Sequence, residues 1–381
     1  MKKYMSVYEK VKGDIVSGAI KYGQKVPSKR ALSDMLGVSV ITVEHACEIL
    51  ESEGYISARP RSGYYVEYTT EKFYGSAAVD VKSESAAIVK AAENEYLPFS
   101  VYAKAVRTVL GERGENIMKK SPGTGLSELK TAIKNYLFRS RGIDVSEKQI
   151  IIGSGAEYLY GTVTELLGSD KVFGVENPSY EKIERVYTSK GIRTEELSLC
   201  DDGISSQALW SSRAEVIHVT PYRSFPTGVT ASASKKSEYL RWASECGGYI
   251  IEDDYESEFS LFAKPFETIF SSDAEGRVIY INTFSKTICP AVRVGYMLLP
   301  ERLTDEFYKR LGFYSCTVPA LEQYVIAALL SDGTFERHIN KIRRLRRRTF
   351  LLEEKKVSSR RKVGGLKKEG AYDILVFAKK F

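Results

Sequence analysis

Between Gly125 and Pro300, short apolar runs alternate with helical segments, and this alternation constrains the fold more than any other feature of the chain. "KQIII", "KVFGVENP", "EVIHVT", "GYIIEDDY" and "RVIYINTFS" each have the length of a strand. Amphipathic stretches such as "GLSELKTAIKNYLFRSRGI", closed by a glycine, alternate with them. Strands separated by helices predict an α/β domain with a largely parallel sheet. Ligands of such sheets bind beyond the carboxyl ends of the strands, so the polar residues there carry the functional information.

Those residues form a set. "NTFSKTICPAVRVGYMLLP" reads as a strand, a turn and a second strand, with Arg293 seven residues after Lys286. A lysine among hydroxyls and apolar side chains is poorly solvated, which favours its nucleophilic form, and one use of such an amine is a Schiff base. Alone, a Ser-Lys pair is more readily a loop lysine reaching water. Gly153-Ser154-Gly155 presents backbone N–H groups at a helix N-terminus, either as an anion site or as an ordinary strand-to-helix turn. "NPSY" places Tyr180 after a strand, and "EDDY" ends another in acids with Tyr255 beside them. A strand-end acid there either pairs with a pyridinium nitrogen or caps the next helix. Arginine matches phosphate bidentately, and Ser and Thr donate to its remaining oxygens. Taken together, a phosphate cradle, an aromatic, an acid and an amine are one complete set of contacts for pyridoxal phosphate.

The first seventy residues have another texture. Val7, Val11, Ile15 and Val16 recur at helical spacing up to Ser17-Gly18. Pro27-Ser28 then opens a helix with the stripe Ala31, Leu32, Met35 and Leu36, and Gly37 stops it. Val38-Ser39 opens a second helix in which Val43, Ala46, Cys47 and Leu50 face inward. Two short helices across a tight turn make a helix-turn-helix, and "YISARPRSGYYV" adds a wing. Lys29, Arg30, Arg59 and Arg61 gather where phosphates would be met, and Ser39 and Thr42 lie at the start of the helix that would enter a major groove.

Composition narrows the class. The 381 residues are 43% hydrophobic, enough for two or more domains, and the net charge of +7 permits an acidic partner without demanding one. Five scattered cysteines with no CxxC predict reduced thiols, and three distant histidines give a metal site little to build on. No signal peptide or membrane-spanning run is visible, which predicts a soluble, cytoplasmic protein with no membrane partner.

Residues 6–66, with "PSKRALSDMLGVS" and "RPRSGYYV", resemble the winged helix of the GntR family. Residues 95 to about 350 resemble the fold-type-I aminotransferase domain through "VENPSYEKI", "TPYRSFPTGVTAS", "YIIEDDYESEF", "NTFSKTICPAVRVGYMLLP" and "FERHINKIRRLRRR". The whole is similar to the MocR subfamily of GntR regulators. The resemblance implies an α/β fold: a winged helix-turn-helix at 1–68, a linker at 69–95, a PLP-dependent transferase-like large domain with a mostly parallel sheet at 96–335, and a connecting helix with an incomplete small domain at 336–381. By the same resemblance Lys286 is the Schiff-base lysine, Asp253 pairs with the pyridine nitrogen, Tyr255 meets the phenolic oxygen and Tyr180 stacks on the ring. Thr283, Ser285 and Arg293 hold the phosphate with the turn at Gly155 and Ala156.

The sequence departs from the family pattern in several places. Val40 stands where an arginine is common after the helix-opening serine. Glu157 replaces a usual glutamine, setting a carboxylate near a dianion. Tyr222-Arg223-Ser224 replaces a Ser-His-Gln type sequence on the substrate side. Beyond the arginine run, expected to be the solvated face of a helix over a stripe of Ile339, Ile342 and Leu345, only "AYDILVFAKKF" reads as a strand, and no arginine for a substrate carboxylate can be named. These features predict a homodimeric DNA-binding regulator that responds to an amine, an amino acid or pyridoxal phosphate, with at most residual half-reaction chemistry. The alternatives are an aminotransferase with an N-terminal DNA-binding domain, or an inactive remnant.

Overall fold

The computed structural model describes residues 3–59, 62–68, 95–260 and 267–364. Arg61, most of the expected linker and the "AYDILVFAKKF" segment lie outside the described residues.

The N-terminal unit is three helices, α1 (Lys3–Val16), α2 (Lys29–Leu36) and α3 (Val40–Ser52), followed by a hairpin of β1 (Ile56–Arg59) and β2 (Gly63–Val66). Ser28 and Ser39 cap α2 and α3, their hydroxyls accepting from Ala31 N and Thr42 N at 3.2 Å each, and such caps contribute about 1 kcal/mol. Gly37, at φ 62°, closes α2 in the left-handed conformation that only glycine adopts cheaply. Val43, Ala46, Cys47 and Leu50 of α3 form the core with Val7, Val11 and Ile15 of α1. Two expectations fail here. Val16 is 50% exposed, because α1 turns Tyr8 rather than Val16 into the interior. On the short α2 only Leu32 is buried, and Met35 is 62% exposed.

The large unit begins with α4 (Phe99–Arg113) and α5 (Ser127–Arg141), and continues through β3 (Ile150–Gly153), α6 (Ala156–Leu167), β4 (Val172–Asn177), α7 (Glu181–Ser189), β5 (Arg193–Cys200), β6 (Gly203–Ile204), α8 (Ser206–Ser211), β7 (Val216–Val219), α9 (Ala233–Cys246), β8 (Tyr249–Asp253), β9 (Val278–Thr283), β10 (Gly295–Leu298), α10 (Glu301–Leu311), α11 (Ala320–Ser331) and α12 (Thr334–Gly364). The strands form one sheet in the order β3-β10-β9-β8-β7-β4-β5-β6. From β9 to β5 all neighbours are parallel, and β10 runs antiparallel between β3 and β9.

Period-two alternation explains why the strands read as unbroken apolar runs. Ile150 and Ile152 of β3 pack under α5 and α11, while Ile151 between them packs under α6. Both faces are covered, as a parallel sheet requires, and each such buried side chain contributes about 1.5–3 kcal/mol.

On α12 the buried stripe runs through Phe335, Ile339 and Ile342 and then reaches Arg346, not Leu345, which is 49% exposed. Position 346 continues the helical period, and its guanidinium is tolerated there because Glu95 and Glu256 (3.0 Å) neutralise it and the Phe259 ring lies 4.6 Å away. The arginine run is therefore not wholly solvated.

Candidate functional site

The carboxyl ends of β8, β9 and β3, with the amino end of the antiparallel β10 between the last two, build the site. Asp253 at the end of β8 lies opposite Ile281 of β9; Thr283 ends β9 opposite Gly295; and Gly295 lies opposite Gly153 at the end of β3. The turn after β9 carries half-buried Ser285 and Lys286 and is tied down by Phe284 N donating to Val294 O at 2.9 Å. Ser285 Oγ donates to Val292 O at 2.8 Å, bracing the segment that leads to Arg293. Register and turn thus bring Thr283, Ser285, Lys286, Arg293 and Gly155 to one end of the sheet.

Gly155 has φ 94°, and a Cβ placed there would lie 2.8 Å from Arg293 Nη2. The guanidinium therefore rests directly against the turn, beside the N–H groups of the first turn of α6, and a cation at a helix N-terminus is an arrangement suited to a phosphate. In this structure Arg293 Nη2 lies 3.2 Å from Glu157 Oε2, and the other oxygen of Glu157 accepts from Lys182 Nζ at 2.8 Å. That hydrogen bond from Lys182 holds the Glu157 carboxyl below its usual range.

Asp253 is buried. Its Oδ2 accepts from Tyr160 Oη and lies 3.7 Å from His218 Nε2, while His218 Nδ1 is 2.6 Å from Tyr187 Oη. Burial first, then the Asp253 charge, push the Tyr160 hydroxyl well up, so it stays a donor. Asp253 Oδ1 is buried without a hydrogen-bond partner. Leaving a buried carboxylate oxygen unmatched is costly, and a protonated pyridine ring nitrogen presents an N–H donor of the kind that would match it.

Asp254 has no such vacancy. Arg141 Nη2 lies 2.8 Å away and Tyr280 Oη donates to it at 2.7 Å. Tyr255 follows, and its hydroxyl, pushed up chiefly by burial, donates to Arg223 O at 3.0 Å. Arg223, at φ 54°, is the one non-glycine residue with positive φ among those described, and its guanidinium lies 3.8 Å from Glu256. Tyr180 stands just past β4 at the rim, 40% exposed, edge-on to Phe225 at 6.2 Å.

Sequence reasoning had missed Tyr160, His218 and Glu256. A histidine inside the apolar "VIHV" was the one local signal; the other two become visible only once α6 and α12 are packed on the sheet.

On the winged helix, Ser39 and Thr42 open α3, their hydroxyls 2.8 Å apart, with Val40 and Ile41 exposed beside them. Arg30 and Arg59 are exposed, and Arg59 stacks 4.2 Å over Tyr65 and lies 3.9 Å from Glu67. Lys29 is more constrained, because it pairs with Glu44 of α3 and lies 5.6 Å over Tyr64 of β2, tying helix, helix and wing together.

A winged helix joined to a sheet of this order, with a lysine turn, a strand-end aspartate and an arginine cradle, defines an aminotransferase-like domain carrying a DNA-binding module. The comparisons agree: residues 3–66 match the bacterial regulatory proteins of the gntR family, and residues 87–358 match aminotransferase class I and II. The chain belongs to the GntR family, in the MocR-type form that carries an aminotransferase domain. It is 31% identical over 366 residues to the HTH-type transcriptional regulator YdeL of Bacillus subtilis, covering 92% of this chain and 78% of that one. It is 27% identical to the probable rhizopine catabolism regulatory protein MocR of Rhizobium meliloti (90% and 74% covered). Identity is also 27% to the pyridoxine biosynthesis transcriptional regulator PdxR of Corynebacterium glutamicum (89% and 75%). Among solved structures, an archaeal alanine:glyoxylate aminotransferase superposes with a TM-score of 0.61 at 22% identity, covering 68% of this chain and 67% of its own, which establishes the fold. Among the described residues no helix is long and apolar enough to cross a membrane.

Proposed function

We propose that this protein is a transcription regulator that binds double-stranded DNA as a homodimer, holds pyridoxal phosphate, and changes its DNA affinity when an amine, an amino acid or the cofactor itself occupies the site. Bound there, pyridoxal phosphate would supply an aldehyde that exchanges between amines and a ring that withdraws electrons. The chain's own residues supply the rest. Lys286 offers the amine for covalent attachment, Asp253 accepts from the ring nitrogen, Tyr255 meets the phenolic oxygen and Tyr180 covers the ring. Thr283, Arg293 and the turn at Gly155 and Ala156 take the phosphate, and Ser285 joins them when its hydroxyl turns from Val292 O. The similarity to PdxR, named for pyridoxine biosynthesis, supports the cofactor as one of the effectors.

One observation carries the regulatory reading. The winged helix docks on the large unit through surfaces away from the start of α3 and from Arg59. Ala233 N donates to Glu53 O at 2.9 Å, Tyr8 Oη donates to Glu53 (2.5 Å) and lies 2.9 Å from Glu267, and Lys12 pairs with Glu267. Lys236 also donates to Glu267 O at 2.6 Å, and two residues further along Ile269 N and Phe270 N donate to Glu252 of β8. The strand that ends in Asp253 is therefore two short steps from the DNA-binding module, a physical route for coupling between two sites.

The test is binding of the full chain to DNA upstream of its own gene, measured with and without cofactor and a panel of amines. Affinity that changes with cofactor or amine, and no longer does so in Lys286→Ala, supports the reading. Sustained transamination at roughly 1 per second or faster, with DNA binding indifferent to ligands, would make the protein an aminotransferase instead.

A further inference from the structure

Resting on that cofactor reading, we propose that Glu157 is a built-in competitor for the cofactor's phosphate, and that Lys182 is the parking place to which its carboxylate withdraws when the phosphate arrives. Glu157 Oε2 sits 3.2 Å from the Nη2 of the arginine that rests against the Gly155 turn, where a phosphate would sit. A carboxylate and a phosphate use the same face of a guanidinium, and two anions cannot share it without repulsion. Lys182 Nζ already donates to the other oxygen of Glu157 at 2.8 Å, so the carboxylate can leave Arg293 without losing its second cation. Both pairs are substantially exposed, with Glu157 39%, Arg293 50% and Lys182 56% accessible, so they are weak enough to exchange without disturbing the fold. In an enzyme that keeps its cofactor permanently such a competitor would be a defect. In a regulator it raises the concentration at which the site fills, and so sets the range over which phosphorylated pyridoxal is read.

The experiment titrates the purified full chain with pyridoxal phosphate and with pyridoxal, following the absorbance of the Lys286-attached chromophore. Glu157→Gln should lower the half-saturating concentration of pyridoxal phosphate by roughly two- to fivefold and leave that of pyridoxal, which has no phosphate, unchanged. Lys182→Gln should weaken pyridoxal phosphate in the presence of Glu157 and have no effect in the Glu157→Gln background. Equal or weaker binding in Glu157→Gln, or an equal gain for both ligands, overturns the inference while leaving the cofactor site intact. Failure of the parent chain and the variants alike to take up pyridoxal phosphate would overturn the cofactor reading, and this inference with it.

Discussion

Asp253 and Asp254 are neighbours in sequence and both are buried, yet the two sides of the sheet treat them differently. Beneath α5, Asp254 is saturated by Arg141 and Tyr280, and Glu258 adds a second carboxylate 3.7 Å from the same guanidinium. Beneath α6, Asp253 receives one hydroxyl and keeps one oxygen unmatched. The open valence alone does not single out Asp253, since Glu258 Oε2 is unmatched as well; what distinguishes Asp253 is its place at the end of β8, beside the strand that leads into the lysine turn. Two adjacent acids can thus divide into a structural and a binding role simply by the alternation of a strand.

Breaking the closed side should have the largest effect. Arg141→Ala strands two buried carboxylates and should cost about 3–5 kcal/mol, read as a shifted midpoint in urea unfolding followed by tryptophan fluorescence. A change under about 1 kcal/mol would mean that the Asp254 network is not structural. Glu176 is a third buried acid at a strand end, but its partners are the neutral donors Ser224 Oγ (2.5 Å) and Thr220 N (3.2 Å). Burial pushes its carboxyl up to about 8. The folded protein therefore holds a proton that the unfolded chain releases near pH 4.5. Stability should fall as pH rises from about 5 to 8, with a slope of at most about 1.4 kcal/mol per unit from this group. Glu176→Gln should flatten that slope in melting curves, and an unchanged slope would place the titration elsewhere.

On the open side, Asp253→Asn should leave stability within about 1 kcal/mol and weaken the cofactor by roughly ten- to a hundredfold, the scale of a hydrogen bond to a charged group. Asp254→Asn should do the reverse. If Asp254→Asn hurts the cofactor more, the division of roles collapses. The smallest expected effect lies on the winged helix: Arg59→Ala should weaken binding to all DNA sequences alike and make the salt slope shallower by about one. An unchanged slope would remove Arg59 from the phosphate contacts.

Much of this architecture was legible in the chain. The helical period of Val43, Ala46, Cys47 and Leu50, the caps at Ser28 and Ser39, and the apolar runs of the sheet all follow local rules. The motifs also named residues that the sheet brings to one end. What the motifs could not reveal is what those residues touch. The partners of Asp253 come from α6 and β7, those of Asp254 from α5 and β9, and Arg346 is recognisable as buried only once Glu95 and Glu256 are seen around it. Period alone placed Leu345 inside and Met35 in a core, because it records which residues share a face and not how wide the covered face is. The docking of Tyr8 and Lys12 on Glu267 joins residues some 250 apart, and no local pattern announces it.

The central claim is that this end of the sheet holds pyridoxal phosphate through Lys286. Borohydride reduction of the protein saturated with cofactor, followed by digestion and peptide mapping, tests it most directly. The account predicts that the cofactor is fixed on the peptide containing Lys286, and that Lys286→Ala fixes none. Label recovered on another lysine, or no label at saturating cofactor, would contradict it.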